Sequence, residues 1–101
     1  MNISNIHRTM KNKNNPYLTV SNKLIKDERL SLDAKGIMIE ILSNADSFVV
    51  YVEVLKKKTK LTRKRFYDAW NLLQELGYVE AQRKGNNYLY NIYEAPETRT
   101  L

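Results

Sequence analysis

The stretch TRKRFYDAWNLLQELG, residues 62–77, constrains this chain most. Its large apolar residues, Phe66, Ala69, Trp70, Leu73 and Leu76, recur at steps of three and four, the period of a helix with one buried face. Thr62 stands where an N-cap belongs, and Gly77 follows the last periodic residue, where a left-handed C-cap belongs. The spacing predicts a helix over 62–76. Such a helix is not self-sufficient: its apolar stripe needs other elements to cover it. The cover has to come from one small domain, because 101 residues support a single core. Directly after Gly77 the period changes from 3.6 to 2. YVEAQRK and YLYNIY alternate around GNN, which reads as a β-hairpin over 78–93.

Upstream, Ser31 reads as an N-cap with Asp33 in the first turn, where the helix dipole favours an acid. Leu32, Ala34, Ile37, Met38, Ile41 and Leu42 then form the expected buried stripe of a helix that ends at Asn44-Ala45-Asp46. Gly36 inside it costs roughly 1 kcal/mol against alanine, which is tolerable where a neighbour packs closely. SFVVY, 47–51, reads as a short strand and VEVLKKK as a short helix, although no good N-cap stands near Tyr51. Val50, Val54 and Leu55 are expected in the core. YLTVS, 17–21, reads as a further strand and NKLIKDERL as a connector. Residues 1–16, rich in Asn and Lys and closed by Pro16, read as a flexible basic arm carrying Arg8, Lys11 and Lys13. The folded domain is expected over 17–95, with 96–101 a flexible tail.

Composition narrows the function. The net charge is +6 and the isoelectric point about 9.6, which favours an acidic partner. Seven cations, Lys56, Lys57, Lys58, Lys60, Arg63, Lys64 and Arg65, crowd into ten residues. There is no cysteine, so disulfides, thiolate chemistry and most zinc sites drop out. No segment near the N-terminus has a signal peptide's apolar centre, and FVVYV is too short to span a bilayer. A cytoplasmic protein without a membrane partner is expected. The one histidine, His7, the scattered acids and the three glycines offer no catalytic constellation, metal-ligand spacing or phosphate loop. No enzyme activity, cofactor or metal is expected.

The face of helix 62–76 opposite its apolar stripe is basic in its first turn, polar and aromatic in the middle, and acidic at its end. Cations in a first turn oppose the helix dipole by roughly 0.3–1 kcal/mol each. Their presence after an N-cap points to a partner outside the fold. Arg63, Lys64 and Arg65, with Tyr67 and Asn71, suit base edges and phosphates: Arg grips guanine, Asn pairs with adenine, Tyr meets a phosphate or a thymine methyl. Thr62 completes this end as cap. Asp68 can hold Lys64 or Arg65 by helical pairing, or accept from cytosine. Lys56, Lys57, Lys58 and Lys60 suit phosphates. Arg83, Lys84 and Asn86 on the hairpin can reach a minor groove or backbone. Gly85 and Asn86 are both expected to take positive φ there.

This order of elements is that of the winged helix-turn-helix, an α+β fold of about three helices with a small antiparallel sheet whose C-terminal hairpin is the wing. Three stretches carry a closer resemblance: SLDAKGIMIEILSNADSFVV, LKKKTKLTRKRFYDAWNLLQELGYVE and RKGNNYLYNIYEAP. Together with Asp27, Arg29, Leu30, Ser31, Ala34, Lys35 and Gly36 of a D-x-R-L-S-x-x-A-K-G pattern, they resemble the DNA-binding domain of phage and plasmid replication-organiser and primosomal initiator proteins. Leu76-Gly77-Tyr78 and Tyr90-Asn91-Ile92-Tyr93 fit the same pattern. The resemblance covers about residues 17–96. It implies double-stranded DNA binding, with helix 62–76 in the major groove and wing 78–93 beside it, in replication or transcription control. Members of that family usually carry a second domain that recruits a helicase loader or makes oligomers. Read as a stand-alone domain, the chain is expected to be a small repressor or accessory factor. The alternative is a scaffold turned toward a host or phage protein, such as an inhibitor of a nucleic-acid enzyme. A homodimer on a palindromic site stays open.

Overall fold

Side-chain capping explains where three of the helices start. The computed structural model describes residues 3–7, 18–44 and 50–96. Helix α1 (Asn22–Ile25) is a single turn capped by Ser21, whose hydroxyl accepts from the Lys23 N–H at 3.2 Å. Helix α2 (Leu32–Leu42) starts at Ser31, whose Oγ accepts from the Ala34 N–H at 3.2 Å. It ends where Ser43 and Asn44 both donate side-chain hydrogen bonds to the Glu40 carbonyl at 2.7 Å. Helix α3 (Val52–Thr59) has no side-chain cap at Tyr51, in keeping with its sequence. Helix α4 (Arg63–Glu75) starts at Thr62, whose Oγ1 accepts from the Arg65 N–H at 3.3 Å.

The end of α4 follows a specific chemical logic. Gly77 has φ 89°, a conformation that only glycine adopts cheaply. This lets the Gly77 N–H donate to the Gln74 carbonyl at 3.2 Å and the Tyr78 N–H donate to the Leu73 carbonyl at 2.9 Å. The pair of bonds is a Schellman closure, and it turns the chain into the sheet with Tyr78 buried.

Strands β2 (Val79–Lys84) and β3 (Asn87–Tyr93) form the expected hairpin, with Val79 opposite Ile92 and Arg83 opposite Tyr88. Of the two turn residues only Gly85 has a positive φ, 60°. Asn86 does not, so the expectation of two positive φ angles is corrected: a first-position glycine is enough for a type II′ turn. The other edge of β3 pairs in parallel with β1 (Ile3–His7), Ile3 opposite Leu89 and His7 opposite Tyr93. The sheet order is β1-β3-β2.

Two strand assignments made from sequence therefore change. Part of the segment read as a flexible arm is β1, while residues 18–21 belong to no strand. Polar composition argued against order in residues 3–7, but an open sheet edge supplies backbone partners whatever the side chains. Tyr17, the rest of the arm with Arg8, Lys11 and Lys13, residues 45–49 of the expected strand 47–51, and the tail beyond Pro96 lie outside the described residues. Val50 and Tyr51 take no strand conformation.

α2 packs on both α3 and α4, and α4 also meets β2. The core is built from Leu24 of α1, Ala34, Ile37, Met38, Ile41 and Leu42 of α2, Leu55 of α3, Phe66, Ala69, Trp70 and Leu73 of α4, and Val79, Tyr90 and Ile92 of the sheet, with Leu30, Val50 and Tyr78 from the connections. Phe66 stacks on Trp70 at 5.8 Å between centroids, and Trp70 meets Tyr90 edge-on at 5.6 Å. Three expected core positions are corrected. Leu32 is 84% exposed and Val54 40%, while Leu76 is half-buried at the rim. Leu32 sits roughly 160° around α2 from the centre of the buried stripe, so helical geometry turns it outward. Among the described residues no close neighbour compensates for Gly36: a Cβ there would meet nothing within 4 Å.

Asp27 ties the connection before α2 to the sheet. It binds Arg29 through both oxygens, at 2.9 and 2.7 Å, and accepts from the Tyr78 hydroxyl at 2.8 Å. The Arg29 guanidinium, helped by the Tyr78 hydroxyl, holds the Asp27 carboxyl well below the usual carboxylate range, although burial works the other way. Glu94, buried after β3, accepts from the Ser21 N–H and so fastens the far end of the sheet to the start of α1. Among the described residues no helix is long and apolar enough to cross a membrane.

Two outcomes follow. Gly77→Ala forces an L side chain into the left-handed region and should cost about 1 kcal/mol, a fall in Tm of about 4–8 °C, read by thermal melting. A depressed carboxyl pKa contributes its full stability above the ordinary Asp range, and that contribution is lost as pH falls toward the folded pKa. The stability difference between the wild type and Asp27→Asn should therefore be large at pH 7 and shrink below about pH 4.

Candidate nucleic-acid interface

The cation-rich run is divided between the end of α3, a three-residue turn and the start of α4. Lys56, Lys57 and Lys58 occupy the last turn of α3, where the helix dipole attracts positive charge. Helix stability alone thus accounts for part of the lysine run. The turn accounts for less. Lys60 closes α3 with φ 59° and ψ 21°, and among the described residues it is the one non-glycine with positive φ. A lysine there costs roughly 1–2 kcal/mol that glycine would avoid.

In the first turn of α4, each cation has a different setting. Arg65 makes a two-pronged pair with Asp33 of α2, Nε to Oδ2 at 3.0 Å and Nη2 to Oδ1 at 2.7 Å. The Asp33 carboxylate pushes the Arg65 pKa up. The pair links α4 to α2, while the Arg65 side chain stays 62% exposed. Lys64 pairs with Asp68 at 2.9 Å, with both side chains largely in solvent, an arrangement that water or a phosphate readily replaces. Arg63 lies over the Tyr67 ring at 5.1 Å and, among the described residues, makes no close ion pair with a carboxylate, although it acts on Glu53 at longer range.

Tyr67 joins the two helices. Lys56 of α3 lies 5.9 Å from its ring centroid and pairs with Glu53 at 3.0 Å. Lys56, and to a lesser degree Arg63 and the Tyr67 hydroxyl, push the Glu53 pKa down. Tyr67 also meets Phe66 edge-on at 5.3 Å, so the half-buried ring connects the surface cations to the core. Sequence reasoning named Lys56 as a phosphate contact but missed Glu53 as its partner. Their i, i+3 spacing was the available signal.

Thr62, Lys57, Lys58, Lys60 and Asn71 are exposed along the same pair of helices. On the hairpin, Arg83, Lys84 and Asn86 are exposed, and the Arg83 Nε donates to the Gly85 carbonyl at 3.1 Å. Tyr88, opposite Arg83, is exposed and stacks on Tyr90 at 6.2 Å. Burial raises the Tyr90 pKa. An aromatic chain of Tyr67, Phe66, Trp70, Tyr90 and Tyr88 therefore runs from the start of α4 to the hairpin. Among the described residues no group of three or more His, Cys, Asp or Glu could hold a metal. The chain matches no protein family, no curated protein and no solved structure.

The Arg65–Asp33 link should behave as one unit. Arg65→Gln and Asp33→Asn should each lower the Tm, and the double variant should fall by much less than their sum, as a double-mutant cycle of thermal melts would report.

Proposed function

We propose that this protein is a winged helix-turn-helix that binds double-stranded DNA, with α4 entering the major groove and the β2–β3 wing beside it, and that it acts in phage or plasmid replication or transcription control. The single observation that carries this reading is the exposed basic edge formed by α3, its turn and the first turn of α4. There Lys57, Lys60 and Arg63 make no close ion pair with a carboxylate among the described residues. Charge held this way, on a helix whose opposite face is fully buried, suits a polyanion. The lysine in a left-handed turn adds support, because folding alone favours glycine there.

Roles divide by chemistry. Arg63, presented on Tyr67, and Asn71 have the donors for base edges, while Lys57, Lys58, Lys60 and Lys64 suit phosphates. Arg83, Lys84 and Asn86 suit the backbone or minor groove at the wing. Arg65 contributes by holding α4 at its angle to α2. The resemblance in sequence points to the same function.

Selection of bound sequences from a random duplex pool tests this directly. Neutralising about six phosphates gives a log–log salt slope near −5. Arg63→Ala should relax sequence preference, whereas Lys57→Ala should weaken all duplexes alike. Lys60→Gly separates fold from function: relief of the left-handed strain, less about 0.5–1 kcal/mol for glycine's greater unfolded-state entropy, should leave a net gain of about 0.5–1 kcal/mol while lowering DNA affinity. Equal binding of selected and random duplexes would reject sequence-specific recognition.

A further inference from the structure

A carboxylate on the basic edge is out of keeping with a polyanion partner. Glu53 stands in the first turn of α3 with its side chain 67% exposed. It pairs at 3.0 Å with Lys56, whose side chain is only 20% exposed. The Lys56 ammonium also lies 5.9 Å from the Tyr67 ring centroid, and the Tyr67 hydroxyl and Arg63 act on the same carboxylate at longer range. Phe66, edge-on at 5.3 Å, anchors the Tyr67 ring to the core, and the ring carries the Arg63 guanidinium at 5.1 Å. The helix dipole favours an acid in the first turn of α3, but it gives no reason for contacts that reach across to α4.

We infer that Glu53 and Lys56 are positioning residues for Arg63. Together they fix the Tyr67 ring from the α3 side, and the fixed ring holds the Arg63 guanidinium in one outward orientation, suited to the paired acceptors of a guanine. This rests on the duplex-binding reading above. A contact between residues four apart on a free helix surface is weak, so the restraint on Arg63 depends on what holds Tyr67. A guanidinium restrained before binding loses less rotamer freedom when it meets a base edge. Restraint also favours the base whose acceptors match it, whereas a freely turning arginine serves phosphates and several bases alike.

The two positioning side chains have opposite charges, so charge and positioning predict different results. Fluorescence anisotropy of the full chain measures affinity for the selected duplex and for a random one. Glu53→Ala should tighten random-duplex binding about two- to three-fold, and Lys56→Met should loosen it by about the same factor. Both should nevertheless cut the preference for the selected duplex about ten-fold, and neither should cut it further once Arg63→Ala is present. A second readout needs no DNA. The Arg63 Cδ protons, shifted upfield by the Tyr67 ring in the nuclear magnetic resonance spectrum of the free wild type, should move toward their Tyr67→Leu positions in both variants, with the circular dichroism spectrum still native. A wild-type preference that survives both substitutions overturns this inference alone. So does a preference that the two variants shift in opposite directions, as charge would, and so do Arg63 protons that neither variant moves. A wild type that binds selected and random duplexes equally rejects sequence-specific recognition itself, and the positioning role falls with it.

Discussion

The packing of Phe66 on Trp70, and of Trp70 edge-on to Tyr90, is the contact on which the rest of this structure depends. It joins the long helix to the sheet in a domain too small for a second core. Large aromatic side chains bring the most apolar area per residue, and offset or edge-on geometry adds to that. With these rings inward, helical geometry leaves Arg63, Lys64 and Asn71 outward. The buried and exposed faces of α4 are thus two consequences of one arrangement.

Charge on that outward face is organised as well as abundant. Arg65 is drawn back to Asp33, Lys64 rests on Asp68, and Lys56 sits between Glu53 and Tyr67. Each contact restrains a long, entropically expensive side chain and relieves repulsion among neighbouring cations. Arg63 is restrained differently, by an aromatic face, which keeps its donors unpaired by carboxylate among the described residues. A phosphate meeting this edge would find cations already oriented, which lowers the entropic cost of binding.

The pattern D-x-R-L-S, which carries much of the sequence resemblance, has a structural explanation here. Asp27 and Arg29 grip one another and the Tyr78 hydroxyl, Leu30 is buried, and Ser31 caps α2. Tyr78 belongs to the Leu-Gly-Tyr stretch that ends α4, so the two stretches meet in space. These residues set the position of α2 against the sheet; none lies on the exposed basic edge. This part of the resemblance therefore rests on the scaffold.

What the chain determined by itself was everything decided within about one turn. Ser31 and Thr62 as caps, Gly77 as the stop of α4, Gly85 in the hairpin turn, and the apolar period of α4 all depend on neighbours at most a few residues away. These were legible, as was the basic run. Only the tertiary structure decided the rest. Asp33 lies 32 residues from Arg65, and no local rule identifies it as that residue's partner. Leu32 turns outward because the elements covering α2 occupy one side of it, and an apolar residue in sequence carries no record of which side is covered. β1 draws its order from the free edge of β3 at the opposite end of the chain, where backbone hydrogen bonding is indifferent to the polar side chains that argued against a strand. Local chemistry selects elements; the direction from which each is covered depends on how the whole chain packs.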